Sequence, residues 1–155
     1  MRRLLTTWLP VVLWMGFIFA MSTRLGGSDN TSRIIEPMLR WLFPRLSPDG
    51  IEELHHWIRK AAHFTEYAVL GLLVFRALAG SFPSADRPGF RLAGLALLIS
   101  AAYAATDEFH QCFVAGRTPA LGDVLIDASG AFVALVAAAW RRWRSRPVDL
   151  TTNPH

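Results

Sequence analysis

The sequence predicts an all-α fold: a polytopic membrane protein built as a four-transmembrane-helix bundle, with an amphipathic segment in its long outer loop. Hydrophobic residues make up 52% of the 155 residues, and the mean hydropathy is positive at +0.29. The apolar residues also collect into four runs, at about residues 4–21, 58–79, 90–108 and 119–140, each near the roughly 17–25 residues that cross a bilayer. Ionisable residues sit inside and beside those runs, where a charge in hydrocarbon costs roughly 2.5–3.5 kcal/mol and therefore marks a paired or working group.

The first run follows Arg2 and Arg3 and ends at Ala20-Met21-Ser22, a pattern shared with signal peptides. Its apolar length exceeds the roughly 7–15 residues of a signal core, and Trp8 and Trp14 suit a retained, interfacially anchored span. From Ser32 to Phe43, Ile34, Ile35, Met38, Leu39 and Leu42 share one side of a helix and Arg33, Glu36 and Arg40 the other, which predicts a segment lying at the interface or capping the bundle. Ser47-Pro48-Asp49 supplies an N-cap, a first-turn proline and an acidic residue, so a helix is expected to start there and run into the second span, with His55 and His56 on its exposed approach. Ser81-Phe82-Pro83 ends that span. Residues 1–146 read as one membrane domain and residues 147–155 as a disordered cytoplasmic tail.

Orientation is read from arginine density. Arg2, Arg3, Arg87, Arg91 and the group Arg141, Arg142, Arg144 and Arg146 crowd the span ends on one side, which places both termini in the cytoplasm. The net charge of +4 then reflects basic flanks touching anionic headgroups, with no nucleic-acid partner required. Cys112 is the single cysteine, so an intramolecular disulfide is excluded.

On the second span Lys60, His63 and Tyr67 follow i, i+3, i+7 spacing and share a face, with Glu66 at its edge. On the third, Tyr103, Asp107 and Gln111 share a face that Glu108 adjoins. On the fourth, Asp123 and Asp127 stack at i, i+4 above Gly130, whose missing side chain allows close helix approach. Gly116-Arg117-Thr118-Pro119 reads as a turn aiming Arg117 at this cluster. The second, third and fourth spans are thus expected to enclose an outward-facing polar pocket.

Two sequence blocks carry a family resemblance. Lys60-Ala-Ala-His63-Phe-Thr-Glu66-Tyr67, and Asp107-Glu108-Phe-His110-Gln111 continuing through Gly116-Arg117 to Asp123 and Gly130, resemble the VanZ-like family of bacterial membrane proteins. The resemblance implies a multi-pass helical protein of the bacterial cytoplasmic membrane and a link to resistance against the glycopeptide teicoplanin. One departure is Asp127, where the pattern leads one to expect Asn; it adds a fourth carboxylate to Asp107, Glu108 and Asp123.

Several chemistries are open to such a cluster. Lys60, His63, Glu66, Tyr67, Glu108, Gln111, Arg117, Asp123 and Asp127 are the expected ligand-binding residues for a cell-envelope amphiphile, such as a membrane lipid, a lipid-linked cell-wall precursor or a glycopeptide. The alternative is an intramembrane enzyme running acid/base or phosphoryl-transfer chemistry on a lipid-linked substrate, with His63, Glu108 and Asp107 as candidate catalytic groups. No cofactor is expected; His63 with Glu66 and Asp107 with His110 give only a weak i, i+3 signal for a divalent metal. A proton or solute pathway has few spans to work with. The plainest reading is a satisfied polar plug in which Glu108 pairs with Lys60 and Asp123 with Arg117.

Overall fold

The computed structural model describes residues 2–23, 28–82, 89–114 and 120–144, which form five helices and no strand. They are α1 (Arg2–Ser22), α2 (Ser28–Leu42), α3 (Pro48–Ser81), α4 (Gly89–Gln111) and α5 (Leu121–Arg144). Four of these, α1, α3, α4 and α5, are long and apolar enough to cross a membrane. The expected turn at Arg117 and the tail from residue 147 lie outside the described residues.

The start of α3 follows from local chemistry. Ser47 takes an extended backbone and its hydroxyl accepts the Gly50 N–H at 3.2 Å, Pro48 occupies the first turn, and Asp49 sits near the positive end of the helix dipole. At about 1.5 Å per residue its 34 residues run roughly 50 Å, well beyond a hydrocarbon core of about 30 Å. The excess falls at the polar first turns, which carry Glu52, Glu53, His56 and Arg59. His55 departs from its expected exposure: it is buried, because it points back onto the bundle while His56 faces out.

Among the described residues α3 is the hub, packing against each of the other four helices. Its contact with α5 is the most extensive and is made by small residues: a Cβ placed on Gly130 would overlap the Phe64 carbonyl oxygen, and one on Gly71 would meet Ala131 at 3.2 Å. Close approach of backbones buries Leu70, Val74, Ala131 and Leu135 along the seam.

Helix α1 is attached differently, by polar tethers. Trp8 donates its indole N–H to Ser81 Oγ at 2.9 Å, Trp14 donates to the Glu66 carbonyl at 2.9 Å, and Tyr103 of α4 donates to the Met15 carbonyl at 2.6 Å. Trp8 and Trp14 are therefore more than interface anchors, since a part-buried indole N–H needs an acceptor and α3 supplies it. These pairings run α1 antiparallel to α3, and Gly89 lies against Arg142, so the start of α1 and the end of α5 share one face of the bundle.

Helix α2 turns Leu39 and Ile35 toward α3 but leaves Ile34, Met38 and Trp41 exposed at i, i+4, i+7 spacing. The apolar side expected from the sequence is thus shared between the bundle and an outward stripe suited to the bilayer interface. On its polar side Arg40 lies 3.9 Å from Glu36.

Candidate functional site

The parallel run of α3 and α5 brings a row of nitrogen-bearing side chains against an acidic one. Lys60 Nζ lies 3.0 Å from Asp123 Oδ1, and His63 Nδ1 lies 3.4 Å from Asp127 Oδ1. One turn further in, the Gly130–Phe64 approach closes the seam. The spacing in the sequence explains the match: i, i+3 on α3 and i, i+4 on α5 place successive residues on facing sides one turn apart.

Helix α4 adds the second layer. Asp107, only 3% exposed, accepts from Gln111 Nε2 through Oδ2 at 3.3 Å, while its Oδ1 has no hydrogen-bond partner. Glu108 accepts the Ala120 backbone N–H through Oε1, satisfying a donor at the amino end of α5 where a carboxylate is also favoured by the helix dipole. The expected pairing of Glu108 with Lys60 is therefore replaced by two others. Lys60 goes to Asp123 because both lie on the α3–α5 seam, and Glu108 points along the chain to the next helix start. Arg117, expected to pair with Asp123, lies outside the described residues.

Tyr67 is fully buried, and its hydroxyl has no hydrogen-bond partner. Asp107, Asp127, Glu66 and the Tyr103 hydroxyl act on it electrostatically, and its ring centroid lies 6.4 Å from that of Tyr103. Lys60, His63, Glu66, Tyr67, Asp107, Glu108, Gln111, Asp123 and Asp127 thus converge, as their helical faces led one to expect. His110 does not join them: its ring packs on Phe19 of α1 with centroids 4.5 Å apart. Among the described residues no three His, Cys, Asp or Glu side chains are grouped to hold a metal ion.

Among the described residues, one open space lies toward α1 and α2. A cavity of about 190 Å³ is walled by Ile18 and Met21 of α1, Ile35 of α2, and Ile58 and Ala62 of α3. Its polar lining is Ser22, Thr31, Arg59, His63, Glu66 and Asp107. The second, third and fourth spans were expected to enclose the pocket, but α5 supplies none of this lining, because the glycine contact and the ion pairs fill the α3–α5 seam. Among the described residues of the expected site, His63, Glu66 and Asp107 line the cavity; Lys60, Tyr67, Glu108, Gln111, Asp123 and Asp127 do not. Ser22, Thr31 and Arg59 were missed, being unremarkable as single residues. The amphipathic pattern around Ile35 was the signal that a helix covers the bundle here.

Four membrane-length helices enclosing a buried carboxylate and histidine network, with a cavity at its edge, define a polytopic helical membrane protein. The family model for VanZ/LLP1 matches residues 7–142, and the chain belongs to that family. No curated protein and no solved structure matches it.

Proposed function

We propose that this protein binds or shields an amphiphile of the cell envelope in the cavity between α1, α2, α3 and α4. The carrying observation is the make-up of the cavity wall: the apolar side chains Ile18, Met21, Ile35, Ile58 and Ala62 stand together with the polar Ser22, Thr31, Arg59, His63, Glu66 and Asp107. That mixture suits a molecule with a chain and a headgroup, as binding sites combine apolar lining with a few placed polar groups. At about 190 Å³ the cavity is smaller than the roughly 300–1,000 Å³ of a drug-sized site, so it takes one end of such a molecule while the rest lies outside. Candidate occupants are membrane lipids, a lipid-linked cell-wall precursor or a glycopeptide, the last connecting this reading to the teicoplanin resistance that the family resemblance implies. We place the protein in the bacterial cytoplasmic membrane with both termini inside, on the arginine pattern.

The test is lipid retention. Ala62 lines the cavity yet is exposed, so Ala62→Trp fills the space without entering the core. Native mass spectrometry of the protein extracted from bacterial membranes should find an amphiphile bound to wild type and lost from Ala62→Trp; equal retention by both would remove this proposal.

A second reading rests on the His63–Asp127 contact at the cavity edge. A carboxylate behind a histidine orients it for acid/base work on a group bound beside Asp107. Turnover of a lipid-linked precursor in proteoliposomes, abolished in His63→Gln, is the outcome that would favour catalysis over binding alone.

A further inference from the structure

The donors and acceptors around the cavity discriminate between headgroup charges. Asp107 and Ser22 are each 3% exposed, both line the cavity, and Asp107 Oδ1 and Ser22 Oγ have no hydrogen-bond partner. A buried carboxylate oxygen left unpaired forfeits its hydration without return, which a hydrogen-bond donor placed in the cavity would restore. The nearby cations offer an anion little. The Lys60 ammonium is engaged by Asp123, and His63 Nδ1 faces Asp127. Arg59, one helical turn before His63 and toward the polar start of α3, is a cationic side chain of the lining, set against the Asp107 carboxylate. A phosphate would meet like charge from the unpaired Asp107 oxygen, and juxtaposed like charges oppose binding.

The cavity also has a path to lipid. Ile58, Ala62 and Glu66 belong both to it and to a more open groove of about 430 Å³ between α1 and α3, lined further by Trp14 and Val69. A chain leaving the cavity along this groove stays on apolar surface.

We propose, building on the amphiphile-binding function above, that the cavity takes a cationic, hydrogen-bond-donating headgroup, a primary ammonium on an apolar chain. Asp107 accepts from it, Ser22 lies beside it, and the chain exits between α1 and α3. A charge-assisted hydrogen bond to a buried carboxylate is the strong kind, which gives Asp107 the leading share of selectivity.

The experiment uses the full chain in phosphatidylcholine nanodiscs with three probes of one chain length: decylamine, decyl phosphate and decanol. Thermal unfolding is followed as each probe is titrated, with Ala62→Trp as the control for probe that merely enters the bilayer. Decylamine is expected to raise the unfolding temperature saturably in wild type alone, with Asp107→Asn weakening its apparent affinity about tenfold or more. Decyl phosphate or decanol stabilising as well as decylamine would overturn the charge assignment while leaving amphiphile binding intact, as would an Asp107→Asn variant that binds decylamine normally. If no probe acts differently on wild type and Ala62→Trp, both this assignment and the amphiphile reading fall. The comparison of the three probes on wild type decides the question even if Asp107→Asn does not fold.

Discussion

Helix α3 makes two contrasting contacts within a few turns. Toward α5 its backbone touches the partner helix at Gly130, Lys60 and His63 meet Asp123 and Asp127, and α5 supplies none of the lining of the cavity described above. Toward α1 it is held by indole hydrogen bonds, and the side chains of α1, α2 and α3 stand far enough apart to leave about 190 Å³ of space. The unbonded polar atoms differ in what they face: those of His63 and Asp127 face each other across the α3–α5 seam, whereas Asp107 of α4 and Ser22 of α1 keep unpaired oxygens on residues that line the cavity. Polar residues in a membrane protein thus do two kinds of work here, and the packing beside each one tells which.

The sharpest way to break this contrast is to add a methyl group to the seam. Gly130→Ala forces its Cβ against the Phe64 carbonyl, a backbone atom that cannot swing away, so the helices must separate. The expected loss is about 1–3 kcal/mol, typical of overpacking, read as a lowered unfolding temperature in detergent. Gly94→Ala is the matched control, because a Cβ there meets nothing within 4 Å and should leave the unfolding temperature unchanged or slightly raised. Equal effects of the two substitutions would show that the seam is looser than described.

The seam was legible in the sequence, whereas the cavity was not. Lys60, His63 and Tyr67 on one helical face, and Asp123, Asp127 and Gly130 on another, are statements about period, and period survives folding. The choice among partners did not follow: whether Lys60 meets Glu108 or Asp123 depends on which helices run side by side and in what register, and Glu108 found a backbone N–H that no side-chain pattern announces. The cavity depends on where helices fail to touch. Ser22, Thr31 and Arg59 come from three elements, and α1 is placed against α3 and α4 by Trp14, Trp8 and Tyr103 reaching backbone or hydroxyl acceptors. Aromatic residues near span ends read as interface anchors until the acceptor is visible.

Loosening the other side should cost less than crowding the seam. Trp14→Phe keeps the ring stacked near Phe17 but removes the N–H donated to the Glu66 carbonyl, for an expected loss of about 1 kcal/mol. The same substitution should widen the groove between α1 and α3, so faster labelling of a cysteine introduced at Val69 by a lipid-soluble maleimide, tested on a background lacking Cys112, is the accompanying readout. Unchanged labelling would mean that Trp14 is not the tether on that side.

A smaller effect is expected for the ion pair. The Lys60 and Asp123 side chains retain 27% and 36% exposure, so water screens them, and a double-mutant cycle with Lys60→Met and Asp123→Asn should give a coupling of about 0.6 kcal/mol, the average for polar contacts between membrane helices. A coupling several times larger would move the pair from the margin of the seam to its foundation.

The least stability change, and the most telling, belongs to Asp107→Asn. Asparagine keeps the shape and an oxygen able to accept from Gln111, while it discards a charge held at 3% exposure with one oxygen unpaired. A residue kept for support should be missed when altered; a residue kept for a ligand is a cost in the ligand's absence, and its removal commonly leaves a protein as stable or more so. The unfolding temperature of Asp107→Asn is therefore expected to equal or exceed that of wild type, in direct contrast to Gly130→Ala. A fall as large as that of the glycine variant would place Asp107 with the seam, and the cavity would then be a packing gap at the edge of a structural network. Equal or higher stability joined to lost binding would separate the two sides of α3 by role as well as by geometry: one side holds the bundle together, and the other keeps an unpaired carboxylate available for a bound molecule.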